Sequence, residues 1–148
     1  MAMNSKMKPL LLLLLALTLH AADEKYLLAL KAYYDNNRSN DAQAITLLSE
    51  AATKQHNPDA AFLLGVAYGE GNIVPKNLKK ALYWYESAAK LGDKDAMLAT
   101  GWLYYKGEAT KQDLQKAKMW FQKAAELGDQ DAAEMVGFIE GMERNFSP

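Results

Sequence analysis

From residue 57 onward the apolar positions fall into alternating blocks with helical spacing. Met97, Thr100, Gly101 and Tyr104 recur at i, i+3, i+4 and i+7, which is one face of an α-helix. A second kind of block runs Leu78, Ala81, Trp84, Tyr85, Ala88, with a counterpart Leu114, Ala117, Trp120, Phe121, Ala124. Cap residues stand at the starts: Asn57 before Pro58 and Asp59, Asn77, Asp93 before Asp95, and Asp113. Their side chains accept from the first free N–H groups, and early acids suit the helix dipole. Gly92 and Gly128 follow the second blocks, where a left-handed residue is expected. Between first and second block lie Gly69–Pro75 and Lys106–Thr110, in which glycine permits reversal and Pro75 ends helix. The pattern predicts pairs of helices joined by loops.

These pairs repeat every 36 residues. Asp59, Asp95 and Asp131 share that interval, as do Gly65, Gly101 and Gly137. Residues 59–94 and 95–130 are identical at 14 of 36 positions, too many for coincidence of composition alone. A fixed period of this size signals a solenoid whose units pack on their neighbours. The division that follows is 57–92 and 93–128 as full repeats, 23–56 as a degenerate N-terminal capping repeat, and 129–148 as a single C-terminal capping helix with a tail. In the degenerate repeat Ala44, Leu47, Leu48, Ala51 and Ala52 match the second block, Tyr26–Tyr34 supplies the first helix and Asn40 the second cap. The last helix is expected at about 132–142, with 145–148 as a loose tail. Mid-helix Gly65 and Gly101, at about 1 kcal/mol each relative to alanine, imply a closely passing neighbour helix. Trp84 and Trp120 are expected to fill the space between pairs.

Residues 1–22 stand apart. Lys6 and Lys8 precede an apolar run from Pro9 to Leu19, then come Ala21, Ala22 and the charged Asp23-Glu24-Lys25. This is the order of a secretory signal peptide, and the run is shorter than the roughly 20 residues a bilayer span requires. Cleavage after Ala21 or Ala22 is the favoured reading and an uncleaved anchor the alternative. Cleavage implies a periplasmic or secreted protein with no stable membrane insertion. The chain beyond residue 22 holds 15 basic and 18 acidic residues, a formal charge of −3. Without a basic stripe, nucleic acid is a poor partner. There is no cysteine, so packing alone must hold the fold.

The run Leu64-Gly65-x-x-Tyr68-x-x-Gly71, then Val74-Pro75-Lys76-Asn77-Leu78-x-Lys80-Ala81-x-x-Trp84-x-x-x-Ala88-Ala89-x-x-Gly92-Asp93, resembles the Sel1-like repeat, a relative of the tetratricopeptide repeat. The second copy keeps Gly101, Tyr104, Gly107, Asp113-Leu114, Lys116-Ala117, Trp120, Ala124-Ala125 and Gly128-Asp129. It departs from the family at Ile73 and Ala109, where a second loop glycine is usual, and at Thr100, where leucine is usual. The resemblance implies an all-α, right-handed solenoid of Sel1/TPR-like helix pairs with a concave face used for protein–protein interaction. Similar envelope proteins act as adaptors, as inhibitors of sensors or enzymes, or as immunity proteins against antibacterial effectors. A cysteine-rich exported branch binds penicillin-like ligands; this cysteine-free chain departs from it.

Candidate chemistry is sparse. His56, the one histidine past the leader, sits in an inter-repeat turn and reads as a solvated loop residue. Gly69-x-Gly71 follows a helix, whereas a phosphate-binding fingerprint follows a strand. Asp93 and Asp95 are explained by their helix start, and Lys79-Lys80 by a solvated face. No metal, cofactor or catalytic set is predicted. Trp102 stands where the neighbouring repeat has Val66, off the glycine face of its helix. Either it anchors a partner on the concave surface with Leu63, Val66, Met97 and Tyr105, or it packs between adjacent first helices. Phe138, Ile139 and Met142 on the last helix have no following repeat to cover them, which suits a partner or a homodimer through the C-terminal end. The favoured function is an exported module binding one protein partner. A cell-wall or β-lactam-related hydrolase and a self-assembling structural module are the alternatives.

Overall fold

The structure, a computed structural model, describes residues 24–35 and 37–146; the expected signal segment 1–22 lies outside them, as do Asp23, Asn36 and the last two residues. Among the described residues seven α-helices follow one another: α1 (24–34), α2 (Asp41–Lys54), α3 (Pro58–Glu70), α4 (Leu78–Lys90), α5 (Lys94–Lys106), α6 (Leu114–Glu126) and α7 (Gln130–Phe146). From α2 onward each packs on the next in chain order, giving a right-handed α-solenoid with no strand among the described residues. The core is a thread of small residues (Ala60, Ala81, Ala88, Ala96, Ala117, Ala124, Ala132) closed by Leu48, Leu64, Phe121 and Ile139, all buried.

The caps form as the sequence dictates. Asn57, Asn77, Asp93, Asp113 and Asp129 each accept from the backbone N–H three residues on, at 2.7–3.0 Å. Gly71 and Gly107 end α3 and α5 in the left-handed conformation, at φ 73° and 68°. The two loops close identically, through Asn77 N–H to the Tyr68 carbonyl at 2.8 Å and Asp113 N–H to the Tyr104 carbonyl at 3.0 Å. Both loops lack the second family glycine, at Ile73 and Ala109, and both close in the same way; Ala109 is buried and Ile73 packs against the core.

Some expectations change. The rings seated against the mid-helix glycines are Tyr85 and Phe121, one residue beyond the tryptophans. A Cβ on Gly65 would lie 2.5 Å from Tyr85 Cδ1, and one on Gly101 2.8 Å from Phe121 Cε1. Trp120 is buried and Trp84 half-buried beside them. Asn40 makes no side-chain cap to α2; its amide is drawn away to Asp35, and the connection is a 3₁₀ turn, Arg38–Asn40, capped by Asn37. The terminal helix starts earlier and runs further than 132–142, through Phe146. Where Gly71 and Gly107 stop α3 and α5, α7 carries Glu143, which permits helical continuation and is bound from α6 by Gln115 and by Lys118 at 2.7 Å.

Candidate docking surface

The 36-residue register places Val66, Trp102 and Phe138 at one equivalent position on α3, α5 and α7, with Leu63 one turn earlier on α3. Along this row exposure rises from half-buried Val66 to Trp102 at 38% and Phe138 at 54%. Trp102 meets Phe121 of α6 edge-on at 5.3 Å and Tyr105 edge-on at 5.6 Å. Its ring contacts are with Phe121 on the second helix of its own pair and with Tyr105 on its own helix, and more than a third of it stays open to solvent. An aromatic side chain held rigidly at its base and exposed at its outer part loses little entropy when covered.

The other proposed residues separate. Met97 is 7% exposed and belongs to the core, so it offers no surface. It stands five residues before Trp102, roughly on the opposite flank of α5 at 100° per residue. Tyr105 and Leu63 are half-buried and lean on the core. The signal missed from sequence was that Phe138 is the Val66–Trp102 position in its third occurrence, so the row spans three helices.

No group of three or more potential metal-ligating side chains occurs among the described residues. His56 is exposed at φ 50°, in the place that Gly92 and Gly128 fill in the later repeats. Tyr104 donates its hydroxyl to Glu86 Oε1 at 2.6 Å, and burial first, then this carboxylate, pushes its pKa up to about 12. Burial pushes Tyr85 to about 12 as well, with Glu70 adding to it. Both stay neutral hydroxyls at physiological pH and serve packing. Thr100 is fully buried with its hydroxyl unpartnered. An open hollow of about 520 Å³ lies between α6 and α7, lined by Gln122, Ala125, Glu126, Ala133 and Val136. Its walls carry no converging acid, base and nucleophile. No helix among the described residues is long and apolar enough to cross a membrane.

The Sel1 repeat family matches residues 58–93 and 94–129. No curated protein matches the chain significantly. Solved structures do. A Sel1 repeat protein from Oxalobacter formigenes is 28% identical with a TM-score of 0.63, over 79% of this chain and 48% of its own. The protective antigen c5321 of uropathogenic Escherichia coli, described as an SLR fold, is 28% identical with a TM-score of 0.66, over 75% of this chain and 24% of its own. Cysteine-rich protein B of Helicobacter pylori is 31% identical with a TM-score of 0.59, over 64% of this chain and 70% of its own. The chain spans about half the length of the first of these and a quarter of the second. Two tandem repeat matches, the shared solenoid and this identity lead to one conclusion: the chain belongs to the Sel1 repeat family, whose repeats typically serve as protein–protein interaction modules.

Proposed function

We propose that this protein is an exported repeat module that binds one protein partner across the Val66–Trp102–Phe138 row and acts as an adaptor, regulator or inhibitor. An immunity protein neutralising a secreted antibacterial effector is one form of the inhibitor role. The observation that carries the reading is the exposed, base-anchored Trp102 at the centre of a row that continues onto Phe138. Solenoids concentrate function on such extended surfaces, and aromatic anchors dominate binding energy there. The leader's basic, apolar and small-residue order supports export.

The test is affinity capture from envelope extract, followed by measurement of Kd for the retained partner. Trp102→Ala is expected to weaken binding by about tenfold or more, the scale of a hot-spot truncation. Because Trp102 also packs on Phe121, a melting curve accompanies each variant, and Val66→Glu probes the same row from α3. Unchanged affinity in both folded variants would remove the row as the docking surface.

A further inference from the structure

α7 begins as α3 and α5 do, capped by Asp129 as they are by Asn57 and Asp93. It packs on α6 as α5 packs on α4. Its other flank differs. In α3 and α5 that flank is covered by the second helix of the pair, and Ala61, Gly65 and their counterparts Met97, Gly101 are buried. In α7 the equivalent Ala133 and Gly137 are exposed. Gly141 stands where α3 has Gly69. Nothing lies within 4 Å of a Cβ built on Gly137 or Gly141.

The two covered copies show what fits such a flank. On α3, the Tyr85 ring sits on Gly65, its hydroxyl reaches 3.5 Å from a Cβ on Gly69, and the Ala81 methyl lies 3.7 Å from that same Cβ. Lys80 Nζ stands 5.0 Å from the Tyr68 ring centroid; Lys116 stands at the same distance over Tyr104. The covering helices therefore share the motif Lys-Ala-x-x-x-aromatic: Lys80-Ala81-x-x-x-Tyr85 and Lys116-Ala117-x-x-x-Phe121. On α7 the position of Tyr68 and Tyr104 is taken by Glu140, which is exposed. An incoming lysine would there meet a carboxylate in place of a ring. Phe138 falls at the place of Trp102, which closes edge-on over the Phe121 ring. Its 54% exposure is that of a lid with no ring beneath it. The 520 Å³ hollow between α6 and α7 lies beside Ala133, along the flank where the covering helix would rest.

We infer that the open flank of α7 receives an amphipathic helix of a protein partner bearing Lys-(Ala/Gly/Ser)-x-x-x-Tyr, with the tyrosine ring on Gly137, its hydroxyl end over Gly141, its edge under Phe138, and the lysine paired with Glu140. The small residues alone would not carry this. Two occupied copies of the same notch within the molecule supply the occupant's shape, and Glu140 supplies its charge. The surface is separate from the Val66–Trp102 part of the row and shares only Phe138 with it.

The probe is a synthetic peptide of residues 77–93 from this chain, which carries the Lys80-Ala81-x-x-x-Tyr85 motif, added to the full chain. Saturable binding is expected. Gly137→Leu, which fills the notch, should weaken it by about tenfold or more, and Glu140→Lys by about fivefold. The same peptide with Tyr85→Ala should lose at least as much as Gly137→Leu removes, while Trp102→Ala on the protein should leave affinity within about twofold. That last arm separates this flank from the function proposed above. Absence of binding, or binding indifferent to Gly137→Leu and Glu140→Lys in variants that melt normally, overturns the inference. So does a concentration-dependent dimer in sedimentation that Gly137→Leu abolishes and the peptide does not displace, because the occupant would then be a second copy.

Discussion

A single substitution, glycine to alanine, has opposite expected signs at three positions that the sequence makes equivalent. Helix propensity favours alanine by about 1 kcal/mol at an interior position. At Gly65 and Gly101 that gain meets rings at 2.5 and 2.8 Å from the new Cβ. Overpacking of this kind costs about 1–3 kcal/mol, so Gly65→Ala and Gly101→Ala should each lower stability on denaturant titration. At Gly137 nothing is in the way, and Gly137→Ala should raise stability by about 0.5–1 kcal/mol. Thr100 gives a second residue-scale prediction. Its buried hydroxyl has no partner, so the near-isosteric Thr100→Val removes a desolvated polar group at little change in volume. It should raise stability by about 1 kcal/mol, read as an upward shift of the thermal midpoint.

At the scale of elements, the helices are joined by tyrosines whose protonation matters. Tyr85 fixes α4 on α3, and Tyr104 ties α5 to Glu86 on α4. Both pKa values are raised from 10.0 to about 12 in the fold. The unfolded chain therefore loses these protons first as pH rises. The stabilising contribution is complete below about pH 10 and is lost progressively toward about pH 12. Thermal midpoints should be flat through pH 9 and fall across this window, and Tyr85→Phe should make the fall shallower. The length of α7 follows from a different local choice. With Glu143 at the position of Gly71 and Gly107, no left-handed residue stops the helix, and Lys118 holds the extra turn to α6. Sequence reasoning placed the element and its glycine but ended it too early.

For the whole molecule, the repeat period was sufficient to establish an all-α solenoid, because 36-residue identity, caps and left-handed glycines all act within one helix pair. Those signals are local, and the structure reproduces them in both full repeats. Which side chain contacts which was less legible. The choice of Tyr85 and Phe121 over the tryptophans as the rings on glycine, and the burial of Met97, depend on how two helices rotate against each other. Apolar spacing alone does not fix that rotation, since adjacent large residues on one helix compete for the same gap. The exposed row was only partly legible: the 36-residue register aligns Val66, Trp102 and Phe138, but their rising exposure depends on what packs over each helix. The amino-acid sequence by itself determined the two full helix pairs, their boundaries at cap and glycine, and the order in which they stack. Only tertiary structure decided which rings fill the glycine notch, Tyr85 on α3 and Phe121 on α5, because that depends on how a second helix is rotated when it arrives from elsewhere in space.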